Sequence, residues 1–457
     1  MIRDGIVALG LLLSTASQLR PGGSPVGLGE VLLLTWSFWV LTDRLSTRNA
    51  ALPSGFSRLL GFWGIFAIVE SLGLLNGLAR GTLYDTYWLL HDVLAYPLVC
   101  AVACASAAEP AAHLHRIAWL LVLFGAGSLV LQLAAAAGLF QIPSMLPWYW
   151  QRLRGWSENP NQLAFLCTVL VLLAVHLVST ATRFASAATA VACGVLSLVV
   201  GRLTGSDTFT LMVVVSAVAL LLLTLRFRML RPAPRLDARI ALGLAILLGV
   251  PLMAAATVPI ILSAHSDTAE LGSGVFKNGG KDATAEADLR LALWQQALQR
   301  GLASGMLGLG PGPHLAIPLT LVTAREKVTG QPGNIQHPEQ NGAPNFEAHN
   351  TVLDLFVQGG LGAVLALIWL LGSAFRAAYR NQSAGLATLL LGITLFGMSN
   401  LIIRQPLFWL SIALCLNERV VPARLRLLSG RAALRGGTPI RQRAVAPAIP
   451  IGSGRYP

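Results

Sequence analysis

Long apolar stretches separated by short polar turns run through most of the chain. Many of them reach the about 17–25 residues that a helix needs to cross a hydrocarbon core roughly 30 Å thick. The pattern predicts twelve spans, near residues 5–19, 27–42, 59–77, 88–108, 116–140, 160–181, 185–201, 207–225, 239–262, 351–373, 384–401 and 406–420. We therefore expect an all-α polytopic membrane protein with about 12 transmembrane helices.

Composition agrees with this pattern. Hydrophobic residues make up 54% of the 457 residues and charged residues only 12%, whereas a soluble domain has about 25% charged residues. The first apolar run follows Arg3 and could be the core of a signal peptide. Because Gln18-Leu19-Arg20-Pro21 offers no small-x-small cleavage site, we interpret the run as a retained first helix.

The net charge of +13 has two possible explanations. One is binding to nucleic acid, but the arginines lie in the turns between apolar runs and in the tail. Basic residues in such turns usually set topology, because short cytoplasmic loops are enriched in them. Their distribution predicts a multi-pass protein of the bacterial inner membrane with both termini cytoplasmic and no nucleic-acid partner.

Four segments follow from these spans. Residues 1–262 carry the first nine helices, 263–350 form one large periplasmic loop containing short helices, 351–420 carry the last three helices, and 421–457 form a basic tail that we expect to be disordered. Within the loop, a helix is predicted near 284–300. Its apolar stripe is Leu289, Leu293 and Ala297, and Gly301 is placed to end it as a left-handed cap.

Several arginines fall on the predicted outer side, where the topology rule disfavours them. They are Arg152, Arg154, Arg202 and Arg404, together with Arg290 in the loop. Each one alone could simply extend its charge to the membrane surface. Taken together they predict an anion site, and arginine suits a diphosphate because its planar group donates paired hydrogen bonds. At a membrane surface, such a diphosphate would be linked to a lipid.

His349-Asn350-Thr351 stands directly before the tenth predicted span. Asn350 or Thr351 can cap that helix, which would place His349 beside the positive end of the helix dipole. That field favours a neutral imidazole, the form that a general base needs. On spacing alone, a solvated interfacial histidine is the simpler interpretation.

The remaining polar features are weaker signals. Asn159 before Pro160 predicts an extended turn and the start of the sixth span, a turn that would also hold Arg152 and Arg154 at the membrane face. Glu70 is a charged residue inside a predicted span, which is uncommon. It could have a functional role, line a pore or pair two helices. The glycine run 308–312 follows no predicted strand, which excludes a dinucleotide-binding loop. The other histidines lack the spacing of metal ligands. We therefore expect neither a cofactor nor a metal.

Three ordered patterns make the chain resemble the O-antigen ligase and O-antigen polymerase superfamily over roughly residues 150–410. They are Arg-x-Arg-Gly-x-x-x-Asn-Pro-Asn at 152–161, which includes Asn161; Arg290 with Trp294 followed by Gly308-x-Gly310-x-Gly312; and His349-Asn350 ahead of Gly360. The chain departs from the family pattern at Ser206-Asp207-Thr208, where many relatives carry a basic residue, and at Ala363. Arg202 is a candidate to compensate at the first of these positions.

The resemblance implies a metal-independent, inverting glycan transfer from an undecaprenyl-diphosphate donor. It makes His349 the base that activates the acceptor hydroxyl, and it makes Arg290, with Arg152 or Arg154, the ligand of the diphosphate. A ligase would use lipid A-core as acceptor and a polymerase a second lipid-linked glycan, and these motifs are shared by both. A transporter or flippase of lipid-linked sugars is the alternative from another class; it would explain the arginines but not the loop with His349.

Overall fold

The computed structural model describes residues 2–20, 24, 26–46, 53–143, 145–149, 152–229, 281–316 and 343–417. The ninth predicted span and the predicted tail therefore lie outside the described residues, as does much of the predicted loop. The described part is helical, with one short antiparallel hairpin in which Trp148–Tyr149 pairs with Arg152–Leu153. Its helices are α1 (Ile2–Thr15), α2 (Leu28–Ser46), α3 (Ser54–Ala79), α4 (Thr86–Ala108), α5 (Ala111–Ala136), α6 (Pro160–Thr180), α7 (Phe184–Leu203), α8 (Asp207–Met229), α9 (Lys281–Ala303), α10 (Thr351–Arg380), α11 (Ala384–Gly397) and α12 (Pro406–Asn417).

The structure confirms a helical membrane protein. Among the described residues, seven helices are long and apolar enough to cross a membrane, namely α3 to α8 and α10. Helices α11 and α12 are apolar but only 14 and 12 residues long, which is shorter than the about 20 residues of a full crossing. The total of twelve spans therefore stays a prediction.

Helix α6 lies at the centre of the bundle. Every residue from Leu163 to Val178 is buried, and α6 packs against both α7 and α11. A helix that is apolar on all sides can be covered by other helices all around. Its two polar positions fit this burial, since the Thr168 hydroxyl donates to the Ala164 carbonyl of its own helix at 2.8 Å and His176 is buried with it.

The loops predicted to face outward lie together at one end of the bundle, which we call the outer end. The Gln18 side chain donates to the carbonyl of Gly155 at 2.9 Å, and the Tyr84 hydroxyl donates to that of Leu309. At the opposite end, Arg3 pairs with Glu109, and Asn417 donates to the Ala107 carbonyl. The predicted sorting of loops onto two ends agrees with these contacts, while the end that faces the periplasm stays a prediction.

Helix α10 is interrupted at Gly360. This residue has φ 65° and ψ −160°, outside the helical region, and the glycine run 308–312 packs against the interruption. Leu309 and Gly310 donate backbone hydrogen bonds to the carbonyls of Val357 and Gln358, both at 2.8 Å. A Cβ on Gly308 would lie 2.1 Å from the Gln358 oxygen. The run is glycine-rich because its backbone lies directly against the backbone of α10. Its N–H groups also bond to the carbonyls that lose their partners where the helix is interrupted.

The predicted end of the loop helix at Gly301 is wrong. Helix α9 continues to Ala303, and the left-handed glycine is Gly305, with φ 73°. Gly301 is small for another reason: a Cβ there would lie 2.3 Å from the ring of Phe356 on α10. Close packing of α9 on α10, rather than capping, explains this glycine.

Substitution of Gly360 by alanine should destabilise the protein by about 3 kcal/mol or more, because a left-handed residue with a side chain is strained and the backbone must also move. A Cβ at this position would meet the Met306 carbonyl oxygen at 2.1 Å. The control is Gly372→Ala on the same helix, where a Cβ has nothing within 4 Å. Thermal unfolding in detergent measures the difference; equal midpoints for the two variants would contradict this account of the break.

Candidate active site

The start of α10 holds His349 in an uncommon conformation. Asn350 is the cap of the helix, and its side chain accepts hydrogen bonds from the N–H groups of Val352 (3.0 Å) and Leu353 (3.3 Å). The predicted helix start is thus confirmed, with Asn350 rather than Thr351 as the cap. His349, directly before it, has a left-handed φ of 50°, and its ring packs edge-on against Phe346, with 5.2 Å between centroids.

Helix α9 lies beside this segment and presents Arg290 and Trp294 to it. The Trp294 indole N–H donates to the Ala348 carbonyl at 3.0 Å, and Arg290 donates to the Ser399 carbonyl at 3.1 Å. Leu293 and Ala297, from the predicted apolar stripe, are buried in a small core beneath them. Amphipathic packing therefore places Arg290 next to the His349 segment, although the two are 59 positions apart in the chain.

The turn between α11 and α12 forms hydrogen bonds to several helices of the site, and we call it the Ser399 junction. Its Ser399 hydroxyl is hydrogen-bonded to that of Thr208 at the start of α8, at 2.8 Å. Its Asn400 carbonyl accepts a hydrogen bond from the Thr351 hydroxyl at 2.7 Å. Because Arg290 also bonds to Ser399, this one turn connects the starts of α8 and α10 with α9. Sequence reasoning missed Ser399 and Asn400, since neither lies in a recognisable pattern.

Arg152 and Arg154 point to different neighbours. Arg152 donates to the Thr204 carbonyl in the α7–α8 turn at 2.9 Å and to the Asn161 side chain at 3.0 Å. Arg154 contacts residues close to it in the chain: it donates to the Leu146 carbonyl and lies over the Tyr149 ring. Of the two, Arg152 is therefore the one connected to the turn that leads to Thr208 and Ser399.

The start of α6, next to this hairpin, forms as the sequence predicts. Asn159 caps α6, because its side chain accepts the N–H of Asn161 at 2.8 Å, and Pro160 occupies the first turn of that helix. Arg202, at the end of α7, is exposed and donates to the Thr210 hydroxyl at 2.7 Å. Arg202 thus lies directly before the α7–α8 turn that Arg152 contacts.

Arg404 has a different environment from the other arginines. It is mostly buried, with 11% of its side chain exposed, and it forms ion pairs with Asp92 of α4, at 2.6 Å, and with Glu347. Burial alone would lower the pKa of a guanidinium, but these two carboxylates outweigh it and hold the pKa of Arg404 well above its usual range. With two anions already on it, Arg404 fits a supporting role better than the diphosphate-binding role that we predicted for it.

The Arg404 cluster also anchors the glycine run. Asp92 accepts the Gly312 N–H at 3.0 Å, and Gln358 donates to the Gly312 carbonyl at 3.0 Å while it accepts from the Tyr96 hydroxyl. Glu70 lies close to the same break, with a carboxylate oxygen 2.8 Å from where a Cβ on Gly359 would be. Glu70 therefore lies where α3 packs against α10.

Replacement of Arg404 by methionine should cost about 3–5 kcal/mol of stability, because it leaves the buried Asp92 carboxylate and the partly buried Glu347 carboxylate without their cation. The combined variant R404M/D92N/E347Q removes the uncompensated charges and should recover part of the loss. Thermal unfolding in detergent compares the three proteins. Wild-type stability in R404M would show that the ion pairs are not what holds this cluster together.

One protein-family model matches part of the chain. Residues 192–368 match the family model described as O-Antigen ligase. This region belongs to the O-antigen ligase superfamily. The matched region contains Arg202, Arg290, Trp294, His349 and Asn350, while the hairpin arginines and Arg404 lie outside it. Searches of curated proteins and of solved structures gave no match.

The matched region, about two fifths of the chain, is similar to O-antigen ligases, which supports a membrane glycosyltransferase of the ligase or polymerase type. Within the described residues, no group of three or more His, Cys, Asp and Glu side chains could hold a metal ion. At the outer end of the described part, arginines lie among amides, hydroxyls, histidines and carboxylates.

Proposed function

We propose that the protein transfers a glycan from an undecaprenyl-diphosphate donor to an acceptor hydroxyl at the periplasmic face of the inner membrane, as an O-antigen ligase does. The observation that carries the proposal is the junction at Ser399. It connects Arg290 with the helix start next to His349 and, through Thr208, with the α7–α8 turn that Arg152 contacts. Hydrogen bonds thus connect the segments that carry two cations and a histidine, which come from three separate parts of the chain.

The proposed reaction is a single displacement. The acceptor hydroxyl attacks the anomeric carbon of the donor sugar while the neutral His349 imidazole takes the hydroxyl proton. The bond between that carbon and the diphosphate oxygen breaks, and the configuration inverts. Because negative charge grows on the departing diphosphate, fixed cations on that side lower the barrier.

The arginines have distinct parts in this proposal. Arg290 and Arg152 bind the diphosphate, and the exposed Arg202 adds positive charge beside them. Arg404 supports the site, because the carboxylates of Asp92 and Glu347 already pair with it. Arg154 also has a supporting part, because it contacts Leu146 and Tyr149 rather than the α7–α8 turn that Arg152 contacts. Guanidinium groups neutralise the leaving group here, so the proposed mechanism is metal-independent.

The test is a transfer assay with purified protein in lipid nanodiscs, an undecaprenyl-diphosphate-linked glycan and two acceptors offered separately. Glycan joined to lipid A-core is the result we expect, and it identifies a ligase. Elongation of a second lipid-linked glycan would instead identify a polymerase of the same superfamily. If neither acceptor is modified, while the lipid-linked glycan crosses the bilayer of reconstituted vesicles, the protein is a flippase and the proposal is wrong.

A further inference from the structure

A buried carboxylate accepts hydrogen bonds from both neighbours of the candidate base. Asp354 lies one turn into α10 and is buried, with 5% of its surface exposed. One of its oxygens accepts the Ala348 N–H at 2.7 Å and the other accepts the Asn350 N–H at 3.2 Å. These are the residues on either side of His349. The carboxylate therefore reaches back past the helix start and brackets the histidine.

The geometry shows what this bracket controls. The conformation of His349 is set by two rotations, φ and ψ, which join the peptide group before it to the peptide group after it. Trp294 fixes the first group by its bond to the Ala348 carbonyl. Asp354 fixes the second by its bond to the Asn350 N–H. With both peptide groups held, neither rotation of His349 is free.

That restraint is needed because a left-handed φ is unfavourable for a residue with a side chain. Without it, the backbone at position 349 would relax to a more common conformation and the imidazole would move. The helix itself does not need Asp354 as its first cap, because the Asn350 side chain already accepts the N–H groups of Val352 and Leu353.

We propose that Asp354 is a positioning residue: with Trp294 it holds His349 in the left-handed conformation from which the imidazole reaches the acceptor hydroxyl. The inference rests on the proposed function, since it assumes that His349 is the base. Asp354 itself touches neither donor nor acceptor. Its loss should therefore slow the proton transfer and leave donor binding in place.

The experiment compares Asp354→Asn with wild type. An amide keeps the size of the side chain but turns an NH2 group toward one of the two N–H donors. We expect kcat, per mole of donor-binding protein, to fall about 10- to 100-fold, because small misplacements of a reacting group have effects of this size. The KM for the donor should stay within about threefold, since Arg290 is anchored separately at Ser399.

Asp85→Asn is the matched control, because Asp85 is also a buried acid at a helix start, accepting the N–H groups of Tyr87 and Trp88 of α4. It should leave kcat unchanged. Hydrogen exchange of a peptide covering 346–353 gives a readout without turnover, and Asp354→Asn should speed exchange there.

The outcomes separate the two claims. Wild-type protein that transfers no glycan would refute the proposed function, and the role of Asp354 with it. Active wild type with an equally active Asp354→Asn variant would refute only the positioning role. A parallel loss of kcat and donor binding would mean that Asp354 maintains the fold as a whole and does not specifically hold His349 in place. That result would also refute the positioning role.

Discussion

Replacement of His349 by alanine is expected to lower the rate of glycan transfer by about 10²–10⁴-fold, the usual contribution of a general base. Donor binding should change little, because the side chains proposed to hold the diphosphate lie on α9 and on the hairpin, not on α10. The physical reason is that the acceptor hydroxyl must lose its proton as it attacks. Without the imidazole, only water can take it.

The measurement is initial-rate transfer by purified protein at saturating acceptor, with donor binding measured separately. His113→Ala is the control, since this histidine lies at the opposite end of the bundle, where it contacts Asp4, and its loss should leave the rate unchanged. A His349→Ala enzyme with the wild-type rate would remove the base from the mechanism, although a binding role for the segment would survive.

Replacement of Arg290 by alanine is expected to lower kcat/KM by about 10²–10³-fold, the range seen when one fixed group that stabilises developing charge is lost. Arg290→Lys should recover only part of this. A lysine keeps the charge but cannot donate two parallel hydrogen bonds to a diphosphate, and it has a single nitrogen with which to reach the Ser399 carbonyl.

Arg80 offers a matched control for Arg290. It also lies at the outer end and also contacts α9, where it donates to the Ala303 carbonyl at 2.7 Å, but it is remote from the Ser399 junction. Arg80→Ala should keep kcat/KM near the wild-type value. If Arg80→Ala and Arg290→Ala lose activity equally, general positive charge at this end matters and a specific diphosphate contact does not.

Local features of the fold were readable from the sequence. The helix starts after Asn159 and at Asn350 or Thr351 were predicted because helix-start signals span only a few neighbouring positions. The helix around Leu293 and Ala297 was predicted because its apolar stripe repeats with the helix period. In each case the pattern and the contact that it creates lie within one segment of chain.

Long-range contacts were not readable in the same way. Arg404 and Asp92 are 312 positions apart, and nothing in the sequence marks them as partners. Gly301 was misread for a related reason: a glycine needed for packing against Phe356 looks the same as a glycine that ends a helix.

The left-handed conformation of His349 and its bracket by Asp354 also had no signal in the sequence. A carboxylate in the first turn of a helix usually interacts favourably with the helix dipole. In the folded structure, the oxygens of Asp354 instead reach backward to the N–H groups of residues 348 and 350. The site therefore depends on backbone geometry that residue types alone do not report.

A cryo-electron-microscopy structure of the His349→Ala variant with bound undecaprenyl-diphosphate glycan tests the central claim most directly, because this variant should bind the donor without consuming it. We predict diphosphate density at the outer end of the bundle, in contact with the guanidinium groups of Arg290 and Arg152 and with the first sugar facing position 349. Density at the opposite end, or at the outer end but away from both arginines and position 349, would contradict the account.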